Sequence, residues 1–280
     1  MSYISVLTFN LCWEAIYAKN KMKSCKINGK NICVATIVKI ITKYSLETLK
    51  NNGYDVKLFD FIGLQEINPY GKDWLKILYP VLEEKRVFKK YKFIGNEKHV
   101  VKKSGCIILY NKKKYVLIYE YSYNITDKQD DARPCLIVVL KNKKTKKNYI
   151  VVNCHFPHFY NNIEENVKNK FMKLHYILSK LCFEFETTSI VIMGDFNHEF
   201  NQNFNLYLPI DNDKVSFYDN MKNRYSIKTC CNSNPDGKFS FWSDHIFSTL
   251  GPCRYFTYNN EAKTKNSDHK PLYSVIQETN

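Results

Sequence analysis

The chain has 280 residues, of which 44% are apolar, and a formal net charge of +15. This length and composition predict one domain over residues 1–280 with a large buried core, and they exclude a disordered or fibrous protein. The chain opens on the apolar run Tyr3 to Phe9 with no basic segment before it, and its longest apolar runs have only strand length, so we expect a cytoplasmic protein without signal peptide or transmembrane segment.

Short runs rich in Ile, Val and Tyr recur along the chain and predict β-strands. They are Ile4 to Phe9, Leu58 to Leu64, Cys106 to Tyr110, Tyr115 to Tyr119, Leu136 to Leu140, Tyr149 to Cys154 and Ser189 to Met193. Links of hairpin length, such as Asn111 to Lys114, favour antiparallel pairing. The lysine-rich stretch Lys141 to Asn148 indicates a solvated hairpin tip between two strands.

Two segments have the three- and four-residue spacing of an amphipathic helix. One runs from about Ile32 to Leu49 and ends before Asn51, Asn52 and Gly53, and the other begins near Ile163 and reaches Leu181. Strands outnumber helices, so the fold class is mixed α/β. The segment 13–53 is longer than the connection between its flanking strands requires, and we interpret it as an insert that serves either as a lid or as packing.

The ten cysteines are scattered without any C-x-x-C pair, and several lie inside apolar runs. We expect them to be reduced core residues. None has the spacing of a zinc site.

Predicted strands repeatedly end or begin at a side chain that can bind metal or phosphate. Four runs are followed by such a residue and two later runs are preceded by one: Asn10, Glu66, His155 and Asp195, with Asn197 close behind, and then Asp244 and the Asp268-His269 pair. If the strands alternate in direction, these ends and starts lie at the same edge of a sheet. The pattern therefore predicts one polar site.

The short motifs around these residues resemble those of the endonuclease/exonuclease/phosphatase superfamily. In order, they are N-L at Asn10, Q-E at Glu66, G-D-F-N from Gly194 to Asn197, and S-D-H at Ser243 to His245 and again at Ser267 to His269. The resemblance extends from about residue 3 to residue 276. It implies a four-layer α/β fold, with two mixed β-sheets packed as a sandwich and flanked by helices, and an active site at one edge of the sandwich.

The resemblance also implies roles for these residues. Glu66, helped by Asn10 and Asp268, would bind Mg²⁺ or Mn²⁺ through hard oxygen donors. Asp195 would orient or deprotonate the attacking water, and Asn197 would hold that water or a phosphate oxygen. His269 would stabilise charge on phosphorus, kept cationic and oriented by Asp244. His155 would contact phosphate or protonate the leaving oxygen.

Arg133 begins a predicted strand and is interpreted either as a ligand of a substrate phosphate or as a surface arginine.

The substrate class stays open on the sequence alone. A basic surface attracts polyphosphates, but only four of the 42 basic residues are arginines, and a chain rich in Lys, Asn, Ile and Tyr is also what AT-rich codons produce. We favour a monomeric nuclease or end-processing phosphodiesterase acting on nucleic acid. The alternative is an inositol polyphosphate phosphatase or a sphingomyelinase-like phospholipase, although His245 replaces the arginine of the inositol phosphatase motif. A catalytically silent binding protein is the third possibility.

Overall fold

A computed structural model describes most of the chain. The described residues are 2–12, 30–68, 74–95, 105–126, 133–158, 163–199, 207–210, 213–217, 228–230, 242–258 and 267–278. Within these ranges, no helix combines the length and the apolar composition that crossing a membrane requires.

Six strands form the first sheet. They are β1 (Tyr3–Asn10), β2 (Phe61–Gln65), β3 (Tyr91–Gly95), β4 (Ile107–Asn111), β12 (Cys253–Thr257) and β13 (Leu272–Gln277), in the spatial order β12-β13-β1-β2-β4-β3. Strand β1 pairs parallel with β2 and antiparallel with β13. The carboxyl ends of β1 and β2 therefore lie beside the amino end of β13.

Five strands form the second sheet. They are β5 (Tyr115–Asn124), β6 (Pro134–Asn142), β7 (Asn148–His155), β8 (Ile190–Asp195) and β11 (Asp244–Ser248), in the order β11-β8-β7-β6-β5. Strands β7 and β8 are parallel, and β11 runs antiparallel to β8. The two short strands β9 (Tyr207–Ile210) and β10 (Asp213–Ser216) form a separate hairpin.

The helices cover the outer faces of the two sheets. On the first sheet, α1 (Lys30–Lys39) continues through a π-helical turn (Ile40–Tyr44) into α2 (Ser45–Asn51), and a second π-helical turn (Trp74–Leu78) leads into α3 (Tyr79–Glu84) and α4 (Val87–Lys90). On the second sheet, α5 (Ile163–Glu184) connects β7 to β8. Such a helical crossover is the usual link between parallel strands.

Three buried clusters show the four layers. In one cluster, helices α1, α2 and α3 pack on the outer face of the first sheet, through residues such as Ile37, Leu7 and Phe9. A second joins α5 to the outer face of the second sheet. The third lies between the sheets and contains the alternate residues, such as Val6 and Val151. Because side chains alternate between faces, this pattern makes the fold the predicted two-sheet sandwich.

Most strand predictions are confirmed, but one connection was wrong. Asn111 to Lys114 is as short as a hairpin, yet β4 belongs to the first sheet and β5 to the second, so this link crosses between the sheets. Lys141 to Asn148 is a true hairpin between the antiparallel strands β6 and β7. The helix predicted from Ile32 to Leu49 is present and packs into the core on the outer face of the first sheet. Residues 13–29, the rest of the predicted insert, lie outside the described ranges.

The cysteine prediction was correct for six residues and wrong for two. Cys12, Cys106, Cys135, Cys154, Cys182 and Cys253 are free and buried. Cys33 and Cys230 are instead disulfide-bonded.

Candidate active site

The candidate site lies between the two sheets, at the edge where β1, β2, β7 and β8 end. On these strands the residues facing the interior alternate, and Asn10, His155 and Asp195 continue that alternation at the strand ends. Asp244 begins β11 directly opposite Asp195, and His155 is opposite Asp195 on the other side. The backbone register therefore brings these polar residues together.

Asp195 is at the centre of the cluster and is 1% exposed. Its Oδ2 accepts a hydrogen bond from Asn10 Nδ2 at 2.8 Å, and it lies 3.6 Å from Nε2 of both His155 and His269. Its Oδ1 accepts the backbone N–H of Asn197 at 2.8 Å. Burial raises the pKa of Asp195 to about 6, while the neighbouring His269 opposes that shift.

His269 and Asp244 form a buried pair. His269 Nδ1 lies 2.9 Å from Asp244 Oδ2, which fixes the ring and leaves Nε2 directed towards Asp195. Burial lowers the pKa of His269, but the carboxylates of Asp244 and Asp195 together raise it well above its usual value. The imidazole is therefore a cation held between two carboxylates at neutral pH.

Glu66 lies at the rim of the site, in a strained backbone conformation. Its φ of +59° is in the left-handed region, which a residue with a Cβ seldom adopts. Its side chain is 18% exposed, and its Oε1 accepts a hydrogen bond from Asn10 Nδ2 at 3.1 Å. The turn at Glu66 thus directs a carboxylate out of the sheet edge and towards Asp195.

Asn10 presents its amide nitrogen to both carboxylates. Its Oδ1 accepts the backbone N–H of Cys12 at 2.9 Å, while Nδ2 donates to Glu66 and Asp195. In this orientation Asn10 holds the two carboxylates at a fixed spacing. Direct ligation of a metal ion by Asn10 would require the amide to present its oxygen instead.

His155 is paired with Arg133. Arg133 Nη1 lies 2.8 Å from His155 Nε2, so the guanidinium donates and the imidazole accepts. Burial, and then the charge of Arg133, lowers the pKa of His155 well below its usual value. His155 is therefore neutral and lacks the proton that a leaving-group acid needs at Nε2. Arg133 itself is only half-buried, at the start of β6.

The G-D-F-N turn depends on its glycine. Gly194 has a φ of +154°, and a Cβ there would lie 2.0 Å from the carbonyl oxygen of Cys154 on the neighbouring strand. Asn197 follows in the left-handed region, with a φ of +49°, and its Nδ2 donates to the carbonyl of Phe156 at 2.8 Å. The close approach of β7 and β8 therefore places His155 next to Asp195.

Three further residues that the sequence reasoning did not single out support the site. Ser267 Oγ donates to the carbonyl of Asn10 at 2.8 Å and accepts the backbone N–H of His269 at 3.1 Å. Cys230 Sγ lies 3.4 Å from His269 Nε2, and Thr229 Oγ1 accepts the backbone N–H of Asp244 at 3.3 Å. Ser267 could have been found from the sequence, because it begins the second S-D-H motif. No motif marked Cys230 or Thr229 as part of the site.

Asp268 lies on the rim next to His269. Its Oδ1 is 4.0 Å from His269 Nε2, and its side chain is 26% exposed. His245, in contrast, is fully buried, stacks on Phe247 and binds the carbonyl of His198 through Nε2 at 2.8 Å. It is therefore turned away from the site.

Among the described residues, one group of three side chains lies close enough together to hold a divalent cation. The liganding atoms of Asp195, Asp244 and His269 lie within 4.8 Å of one another. In this group, however, His269 Nδ1 is hydrogen-bonded to Asp244. The raised pKa of His269 favours the imidazolium cation, which would repel a metal cation. Glu66 and Asp268 also carry hard oxygen donors of the kind that Mg²⁺ or Mn²⁺ prefers, and each lies next to a histidine of the site, Glu66 Oε1 at 3.9 Å from His155 Nε2 and Asp268 Oδ1 at 4.0 Å from His269 Nε2.

Comparisons with known proteins identify the fold. No protein-family model and no curated protein sequence matches the chain. Among solved structures, an endonuclease/exonuclease/phosphatase from Bacteroides vulgatus matches with a TM-score of 0.64 and 17% identity over 100% of both chains. The catalytic domain of human Nocturnin, solved with bound sulfate, gives a TM-score of 0.59 and 14% identity over 99% of this chain and 95% of that one.

A third similar structure is a mannosyl-6-phosphatase from Bacteroides thetaiotaomicron, with a TM-score of 0.63 and 18% identity over 98% of this chain and 100% of that chain. At these identities the comparisons establish the fold alone. The resemblance noted from the motifs is thus confirmed as the endonuclease/exonuclease/phosphatase fold.

Proposed function

From this fold and the polar cluster at its edge, we propose that the chain is a divalent-metal-dependent phosphoesterase that hydrolyses phosphodiester bonds, with nucleic acid as its substrate class. One observation carries the proposal. A buried carboxylate, Asp195, faces a histidine that a second buried carboxylate keeps charged, and Asn10 links Asp195 to the rim carboxylate of Glu66. This arrangement supplies a base and positive charge in one place, as phosphate ester hydrolysis requires.

Asp195 is the group that orients and deprotonates the attacking water. A pKa of about 6 leaves it ionised at neutral pH, yet basic enough to accept a proton, which is the range in which a general base works well. Asn197 begins the turn beside it and supplies an amide that holds the water or a phosphate oxygen.

His269 stabilises the negative charge that develops on the phosphoryl oxygens. Its Nε2 is directed into the site and its Nδ1 is hydrogen-bonded to Asp244. Asp244 is therefore a positioning residue that fixes the ring and favours the charged form.

Glu66 and Asp268 hold the Mg²⁺ or Mn²⁺ ion, and Asn10 completes the set if its amide turns to present oxygen. When bound, this ion would supply further positive charge next to the phosphoryl oxygens. In its present orientation Asn10 keeps Glu66 and Asp195 at a fixed spacing.

Arg133 binds a phosphate oxygen of the substrate, and His155 positions it. The guanidinium donates to the neutral imidazole and is only half-buried, and a planar guanidinium is suited to bind phosphate oxygens. Of the two roles considered for His155, this contact favours a phosphate-binding arrangement over protonation of the leaving oxygen.

The net charge of +15 supports nucleic acid as the substrate. A phosphatase acting on a sugar phosphate is the second candidate, favoured by the structural similarity to the mannosyl-6-phosphatase. A membrane phospholipase and an inositol polyphosphate phosphatase are less well supported, since His245, at the position of the inositol phosphatase arginine, is buried and turned away.

A substrate panel tests the proposal. The purified protein would be assayed with Mg²⁺ or Mn²⁺ on single- and double-stranded DNA, RNA, inositol phosphates, mannose 6-phosphate and sphingomyelin vesicles. We expect cleavage of nucleic acid whose substrate affinity falls steeply with added salt. Release of inorganic phosphate or phosphocholine without nucleic acid cleavage would indicate that the same site belongs to a phosphatase or a phospholipase. Binding of substrate without any turnover would indicate a catalytically silent binding protein.

A further inference from the structure

The pole of the sandwich opposite Asp195 carries two lysine-rich loops. The link between β4 and β5 contains the exposed Lys112 to Lys114, and the hairpin between β6 and β7 contains the exposed Lys143, Lys144, Lys146 and Lys147. Backbone and side-chain contacts tie the two loops together, because Lys143 donates from its N–H to the carbonyl of Lys114 at 2.8 Å and from Nζ to that of Lys112 at 2.6 Å. We call these seven residues the lysine pole.

Few acidic residues neutralise the lysine pole. Within the described part of the chain, its ion pairs are Lys114 with Asp60 at 2.8 Å and Lys147 with Glu278 at 3.4 Å. Of the other five, Lys112 and Lys143 donate from Nζ to the backbone carbonyls of Phe88 at 2.8 Å and of Lys112 at 2.6 Å, whereas Lys113, Lys144 and Lys146 are exposed. Helix α4 adds the exposed Lys89 and Lys90, since the N–H of Lys112 donates to the carbonyl of Lys90 at 3.3 Å. The fold thus concentrates positive charge at this pole.

Exposed apolar side chains lie next to the lysine pole. Phe183, near the end of α5, is 81% exposed, and Val116 and Ile118 on the edge strand β5 are 43% and 41% exposed. Two contacts place the end of α5 beside the hairpin and β5. Asn148 Nδ2 donates to the carbonyl of Phe185 at 2.9 Å, and the ring of Phe185 lies 5.4 Å from that of Tyr119. We call Val116, Ile118 and Phe183 the apolar shoulder.

We propose that the lysine pole and the apolar shoulder form a docking surface for an anionic lipid bilayer. Clustered lysines are attracted to the negative headgroups of such a surface, and a neighbouring aromatic side chain inserts at the boundary between headgroups and acyl chains. Nucleic acid recognition would favour arginine for bidentate contacts to phosphate, whereas the two loops, residues 111–114 and 141–148, contain no arginine.

The position of this surface limits what docking does. Strand β7 runs from Asn148 beside the lysine pole to His155 in the candidate active site. At about 3.3 Å per residue its eight residues span roughly 23 Å. A docked molecule therefore holds its catalytic edge away from the bilayer, where it meets soluble substrates or nucleic acid rather than the lipids to which it is bound.

Vesicle flotation tests the proposal with matched variants. The full chain would be mixed with phosphatidylcholine vesicles containing or lacking about one-third phosphatidylserine. Lys113→Glu/Lys144→Glu changes one exposed lysine in each loop, and Lys39→Glu/Lys76→Glu makes the same charge change on exposed helical lysines elsewhere. Phe183→Ser is matched by Leu75→Ser, since Leu75 is 61% exposed on the helical layer of the first sheet.

We expect binding to the anionic vesicles only, weakened by salt. Each lysine near such a surface contributes roughly fivefold, so the lysine-pole variant should lose at least about 25-fold in affinity. Phe183→Ser should also bind more weakly, while the two control variants bind like the wild type. Turnover of a soluble phosphoester should be unchanged in all four variants, which separates this surface from the catalytic proposal.

Four results would overturn the proposal. Equal binding to neutral and anionic vesicles, or equal losses in the matched lysine variants, would reduce the lysine pole to a solvated surface. Binding of duplex DNA but not vesicles, lost in the lysine-pole variant, would identify a nucleic-acid surface instead. A dimer that Phe183→Ser converts to a monomer, without vesicle binding, would assign the apolar shoulder to a second copy of the chain.

Discussion

Replacing Asp195 by asparagine removes the proposed base while keeping its shape. The amide oxygen of asparagine can still accept the backbone N–H of Asn197, as Asp195 Oδ1 does at 2.8 Å, but the amide nitrogen that replaces Oδ2 cannot accept the hydrogen bond from Asn10 Nδ2. The amide cannot take a proton from water. Asp195→Asn therefore tests the chemistry separately from the packing.

The expected loss has two sources. A general base contributes about 10²–10⁴-fold to the rate. Asp195 also lies 3.6 Å from His269 Nε2 and favours its charged form. At an effective dielectric constant of about 20, that attraction is on the order of 4–5 kcal/mol, although Asp244 still supports the cation. We therefore expect turnover to fall at least about 10³-fold, which corresponds to about 4 kcal/mol of transition-state stabilisation.

Turnover and urea unfolding would be measured on the same preparations. Burial disfavours the carboxylate charge, whereas the lost hydrogen bond from Asn10 destabilises the variant, so Asp195→Asn should unfold at a urea concentration close to that of the wild type. Asp60→Asn is a matched control, because Asp60 is 1% exposed but binds Ser5 and Lys114 at the opposite pole. It should lose stability and keep its turnover. More than a tenth of wild-type turnover in a folded Asp195→Asn variant would refute the assignment.

Three other perturbations test other parts of the account. Glu66→Gln should weaken Mg²⁺ binding by more than about tenfold in a calorimetric titration. Glu120→Gln, which changes an exposed carboxylate on β5, should leave the affinity unchanged. Equal Mg²⁺ affinities in the two variants would remove Glu66 from the metal site. Gly194→Ala should lower the free energy of unfolding by more than about 2 kcal/mol, because its Cβ would lie 2.0 Å from a backbone oxygen. Gly53→Ala, whose Cβ would meet nothing within 4 Å, should lower it by about 1 kcal/mol or less. Similar losses in the two variants would contradict the close approach of β7 and β8. Burial raises the pKa of Asp195 to about 6, and only its ionised form accepts a proton. We therefore expect kcat/KM to rise as the pH increases through about 6. A value of kcat/KM that stays constant between about pH 5 and 7 would contradict the assignment of Asp195 as the base.

The sequence predicted the fold where the hydrophobic pattern was strong. Strands β1, β7 and β8 and helix α5 appear close to their expected bounds because buried runs and helical spacing are local signals. The link Asn111 to Lys114 was misread because its length cannot reveal whether the next strand pairs in the same sheet or crosses to the other. Strand β3 contains the exposed Lys92 and follows a lysine pair, so its hydrophobic run is too short to predict a strand.

The candidate site was predicted because its residues follow strand ends in short motifs. The structure brings Asn10, Glu66, Asp195 and His269 together as that pattern indicated. The contact between Arg133 and His155 was not predictable, since it joins the start of one strand to the end of the next and determines which ring nitrogen carries the proton. The proximity of Cys230 to His269 likewise depends on tertiary packing alone.

The central claim is that this protein cleaves phosphodiester bonds with a metal ion and Asp195. The most direct measurement is cleavage of single- and double-stranded DNA and of RNA by the wild type, Asp195→Asn and Asp60→Asn, each with Mg²⁺ and with chelator. The account predicts cleavage by the wild type and Asp60→Asn with Mg²⁺, and its loss both with chelator and in Asp195→Asn. Cleavage that persists in chelator, or that Asp195→Asn retains in full, would contradict it.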